Sequence, residues 1–135
     1  MKFRSTVLAS SLAIAAVAFS LQASAACTYP KSPEQIPDGS KATKEEMIAG
    51  MKTMRAYNDL IKQYTDCLKS ERDAAVAKID ASPAGDEAAQ KKKKDQKDDI
   101  DRQVQQKNDA AVDEALTVTG RFNEQVKTFN AAHKS

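Results

Sequence analysis

The placement of four prolines constrains this chain more than any other feature. Pro30, Pro33 and Pro37 crowd together, and only Pro83 follows. Proline lacks a backbone N–H and its ring collides with the preceding helical turn, so it interrupts helix interiors. The 135 residues are therefore divided into a proline-studded arm and two long proline-free stretches.

Both stretches carry helical periodicity. Thr43 followed by Glu46 fits a capping box, and Glu45 and Glu46 suit the positive end of a helix dipole. Met47, Met51, Met54, Ile61 and Leu68 then recur at steps of four, three, seven and seven, widened by Tyr57, Leu60 and Tyr64. Ala81-Ser82-Pro83-Ala84-Gly85-Asp86 ends this pattern, and Asp86 is a competent N-cap for the next helix. The second stripe runs through Ile100, Val104, Ala111, Ala115, Val118, Phe122, Val126 and Phe129. Gly120 weakens that helix by about 1 kcal/mol relative to Ala.

The chain is thus expected to be all-α: an arm over 27–42, a helix over 43–81, a turn over 82–86 and a helix over 87–132. Two long helices joined by a short turn form an antiparallel hairpin. A turn centred on Ala84 pairs Met47 with Phe122, Met51 with Val118, Met54 with Ala115, Tyr64 with Val104 and Leu68 with Ile100.

The beginning of the chain reads as an export signal. Lys2 and Arg4 precede an apolar run from Val7 to about Leu21, and Ala23-Ser24-Ala25-Ala26 supplies small residues at cleavage spacing. The run is too short for a convincing membrane span. Cleavage after Ala25 or Ala26 is expected to leave in the periplasm a mature chain that begins at Ala26 or Cys27. Lys2 and Arg4 account for the whole charge excess: 21 basic residues against 19 acidic become 19 against 19. A neutral mature chain has no global electrostatic reason to bind nucleic acid or an anionic membrane. Lipidation of Cys27 would instead make an envelope lipoprotein, but Ser24 stands where such a motif wants leucine or a similar residue.

Cys27 and Cys67 are the only cysteines. An even count in an oxidising compartment reads as one disulfide, and there is no Cys-x-x-Cys redox motif. The bond closes a loop with 39 intervening residues, worth roughly 3–4 kcal/mol in the chain-entropy model. Thr43 to Cys67 spans about 36 Å of helix. The 16 steps from Cys27 to Thr43 reach about 50 Å at polyproline rise. The arm is therefore expected to fold back along the first helix and be pinned at Cys67, with Tyr29 and Ile36 covering the open end.

The closed end differs. Lys91 to Asp101 is almost wholly charged and cannot bury a face, so a solvated tip is expected. Lys91/Asp95, Lys94/Asp98 and Lys97/Asp101 stand at i,i+4 spacing. The run of four lysines is neutralised at once by four aspartates, and the aspartates lack the glycine and terminal glutamate of an EF-hand loop. His133, the only histidine, lies in a tail expected to fray. No Ser-His-Asp or Cys-His arrangement and no glycine-rich phosphate loop is present, so no enzyme, cofactor or metal is expected. Met47, Met51, Met54, Phe122 and Phe129 are the candidate interaction surface, with core packing as the favoured competing reading.

Cys27-Thr28-Tyr29-Pro30, Pro37-Asp38-Gly39, Glu45-Glu46-Met47, Tyr57, Tyr64 and Cys67-Leu68 together resemble uncharacterised small exported helical proteins of proteobacteria. The resemblance covers about the first half of the mature chain. It implies a periplasmic helical protein and carries no activity. Exported chaperones built as helical hairpins are similar in size and helicity, but this chain lacks their repeats and strand-forming segments. The function expected is non-enzymatic binding or scaffolding through an amphipathic helical surface, with a protein partner or self-association. Holding of unfolded clients through the methionine-rich face is the alternative.

Overall fold

The computed structural model describes residues 26–134, so the expected export signal lies outside the described residues except for Ala26. Two helices and no strand occur among the described residues: α1 over Lys44–Asp80 and α2 over Glu87–Ala132. None of the helices is long and apolar enough to cross a membrane.

The helix ends follow the local chemistry read from the sequence. Glu46 N–H donates to Thr43 Oγ1 at 3.2 Å, and Thr43 N–H donates to Glu46 Oε2 at 2.7 Å. Two of the orphan donors that open any helix are thereby satisfied. Asp86 caps α2 by accepting from Ala89 N–H at 2.9 Å. Gly85 supplies a φ of +62° just before that cap, a backbone conformation that strains other residues.

The α1 face that packs on α2 is a stricter seam than the apolar spacing predicted. Its buried positions are Met47, Gly50, Met54, Tyr57, Ile61, Tyr64 and Leu68, in alternating steps of three and four. That is the heptad rhythm of coiled-coil packing. Ala111, Val118 and Phe122 are the buried residues of α2, with Val104, Ala115, Val126 and Phe129 half-buried against them. Ala111 is fully enclosed, which lets the two helices approach closely there.

Three expectations are corrected by this seam. Met51 was expected to face Val118, yet it is 39% exposed, and Gly50 occupies the seam position beside it. Leu60 was expected to widen the packed face but is 47% exposed. The predicted pairing is also offset. A Cβ at Gly50 would lie 2.8 Å from Phe122 Cε2, whereas pairing about Ala84 sets Gly50 opposite Val118. Arg72 likewise meets Asp101 and not residue 96. The offset is about one helical turn. Its origin is the connection, which runs alongside the start of α2: Lys93 Nζ donates to the Ser82 carbonyl at 2.5 Å.

No residue from 69 to 110 is buried. Ion pairs hold that end. Arg72 Nε meets Asp101 at 2.7 Å, and Lys97 pairs with Asp80 across the helices. Lys91–Asp95 and Lys94–Asp98 form along α2 at 2.9 and 2.6 Å. The expected Lys97–Asp101 pair does not, because both side chains find partners on α1 instead.

Candidate functional site

The N-terminal segment meets the hairpin at four places. Cys27 is bonded to Cys67, with Cα atoms 5.8 Å apart, and Cys27 N–H donates to Glu71 Oε1 at 3.0 Å. Sulfur in this bond is closed to a thioether lipid and to metal ligation. The Cys27, Cys67 and Glu71 donor atoms nonetheless lie within 4.8 Å of one another.

Next, the Tyr29 ring stands edge-on to Tyr64 at 5.1 Å, a favoured aromatic geometry. Tyr29 Oη donates to Glu114 Oε2 of α2 at 2.6 Å. That bond, helped by partial burial, pushes the Tyr29 phenol up and holds the Glu114 carboxyl below its ordinary range. Tyr57 Oη is buried beneath this pair and makes no hydrogen bond of good geometry. Burial, and secondarily Glu114, raises its phenol too.

The remaining two contacts depend on glycines. Pro37 Cγ would lie 2.8 Å from a Cβ at Gly50, so the missing side chain admits both Pro37 and Phe122. The Pro37-Asp38-Gly39 turn rests against α2: a Cβ at Gly39 would come within 2.0 Å of the Gln125 carbonyl oxygen. Gly39 N–H donates to Gln125 Oε1 at 2.8 Å. The Asp38 carboxylate accepts from the Ser40 hydroxyl and backbone and is held low by them, which secures the turn.

All these contacts fall on one side of the hairpin. They involve Gly50, Tyr64, Cys67 and Glu71 of α1 and Glu114 and Gln125 of α2. At 100° per residue, Ile48 and Met51 of α1 turn away from that side. So do Val112 and Leu116 of α2. These four are exposed at 39%, 39%, 39% and 66%. They form a short apolar strip on the face opposite the N-terminal segment. Leu60, by contrast, lies on the segment's side, near Thr28, Pro30 and Tyr64.

The five residues singled out as an interaction surface therefore separate. Met47, Met54 and Phe122 are in the core, and Phe129 is half-buried against it. Met51 alone is presented to solvent, on the apolar strip. The sequence reading missed Ile48, Val112 and Leu116. A signal existed, since each lies beside a stripe residue, but a stripe is scored for what it buries. His133 caps α2, its ring stacked on Phe129 at 4.1 Å.

Comparison of the chain with protein-family models, with curated proteins and with solved structures gave no match.

Proposed function

We propose that the chain is a non-enzymatic binding or scaffolding protein of the periplasm, exported by its first 26 residues and acting through one face of a helical hairpin. In this reading the N-terminal arm folds back along the hairpin, is pinned at Cys67, and closes one face as a third layer. The opposite face is left for a protein partner. The observation that carries the reading is the apolar strip of Ile48, Met51, Val112 and Leu116, of which Leu116 is the most exposed at 66%. Large apolar side chains gathered on one face of a small domain mark a contact surface more often than chance placement does. Long amphipathic helices commonly meet partners through such a face. The cysteine pair supports an oxidising compartment.

Crosslinking in intact cells, followed by mass spectrometry of the purified chain, tests the proposal. Adducts mapping to residues 48–51 and 112–116 are expected. A rigid monomer that yields no crosslinked protein in the periplasm would rule the reading out.

A further inference from the structure

We propose that the occupant of the free face is a second copy of this chain, packed about a two-fold axis parallel to the helices so that α1 of each copy lies over α2 of the other. The inference rests on the reading of that face as a binding surface and names its partner.

The charge pattern along the two edges of the strip selects this arrangement. At 100° per residue, the α1 edge presents Lys44, Lys52, Arg55 and Lys62, with Asp59 and Asp66 as the acids among them. Lys62 is held by Asp66, whereas Lys44, Lys52 and Arg55 make no ion pair among the described residues. The α2 edge presents Asp109 and Asp113, with Lys127 held by Glu124. Asp109 accepts only from Gln105, and Asp113 makes no ion pair among the described residues. One edge is thus basic and the other acidic. A face of this kind complements itself only when the basic edge of one copy meets the acidic edge of the other. An axis across the helices would set α1 on α1 and basic on basic.

Gly50 is level with Phe122, and Tyr57 with Glu114. Arg55 is then level with residue 117, and Asp113 is one turn away, about 6 Å along the axis. An axis parallel to the helices preserves this level between copies, so Arg55 reaches Asp113 of the other copy. Met51 and Leu116 fall between the two charge rows, where the assembly buries them. The product is a four-helix bundle in which every neighbouring pair of helices is antiparallel, the common up-down arrangement. Oligomers of one chain are most often two-fold dimers with a self-complementary patch of this sort.

Sedimentation equilibrium of the mature, disulfide-bonded chain over a concentration series tests this, together with Arg55→Glu, Asp113→Lys and the double variant. Both residues are exposed, so far-UV circular dichroism is expected to show all variants folded. A reversible dimer is expected. Each single reversal weakens it about tenfold or more, because every pair occurs twice in the dimer, and the double variant restores it. A monomer at every concentration overturns the proposal. So do single variants that dimerise like the wild type, or a double variant that stays dissociated. A photo-crosslinker at position 51 in the periplasm separates this proposal from the reading beneath it. An adduct of twice the chain mass supports the second copy. An adduct with a different protein overturns the second copy while the binding reading survives, and absence of any adduct overturns both.

Discussion

Replacing Cys67 by Ser removes the bond to Cys27 and leaves the helical seam untouched, so it isolates what the staple contributes. The two cysteines are 40 residues apart in sequence. In the chain-entropy model a closed loop of that size stabilises the fold by about 4 kcal/mol at 25 °C, by restricting the unfolded chain. A small domain has a total stability of about 5–15 kcal/mol, so this is a large fraction of it. For a domain near 100 residues the loss corresponds to a fall in melting temperature of roughly 15–30 °C. The seam from Met47 to Leu68 contains no atom of the staple, so the helical signal in the absence of denaturant is expected to persist. Urea unfolding followed by far-UV circular dichroism makes the comparison, with oxidised wild type, reduced wild type and Cys67→Ser side by side. Reduced wild type and the variant should share one lowered midpoint. Coincident midpoints for oxidised and reduced protein would refute the reasoning. Collapse of the helical signal on reduction would refute it differently, by showing that the hairpin cannot stand on its own seam.

Two further predictions concern the glycines and the Tyr29 contact. Gly39→Ala forces a Cβ into the Gln125 carbonyl and is expected to cost about 1–3 kcal/mol, while Gly120→Ala, with nothing within 4 Å, should stabilise by about 0.5–1 kcal/mol; thermal melts of the pair check both signs. Tyr29→Phe is expected to cost about 1 kcal/mol near neutral pH by removing the bond to Glu114. The Glu114 carboxyl is lowered in the fold, so its contribution is present above its ordinary value of 4.5 and is lost as pH falls through the lowered value. The Tyr29 phenol is raised, so its contribution is present below 10.0 and is lost as pH rises beyond that. The stability difference between wild type and Tyr29→Phe should therefore form a plateau that shrinks at both ends. A difference independent of pH would show that Glu114 is not the partner.

Much of the fold was legible because it is written locally. Thr43 with Glu46, Asp86, and the proline and glycine of the turn act within a few residues of themselves. The helix bounds consequently agree with expectation to within a residue. The cysteine pair was legible by counting. The register was not, because it depends on how the connection between Ala81 and Asp86 runs, and no residue there dictates its path. Gly50 escaped notice because a seam position without a side chain leaves no mark in an apolar stripe. Its role depends on Pro37 and Phe122, which reach it from both directions in the chain. Glu114 looks like any solvated acid until Tyr29, 85 residues away in sequence, is set against it. The exposed strip was hidden for a related reason. Met51 fits the stripe by spacing as well as Gly50 does, and only the strict three-four alternation of the packed seam turns it outward.

The central claim is that one face of the hairpin is closed by the N-terminal arm and the other meets a protein. Exposure and this claim disagree about Leu60 and Met51. Leu60 is the more exposed, at 47% against 39%, but it lies on the arm's side. Photo-crosslinking side chains placed singly at positions 51 and 60 of the exported chain set the two against each other in the cell. Protein adducts are expected from position 51 and none from position 60. Adducts from position 60 equal to or stronger than those from position 51 would contradict it.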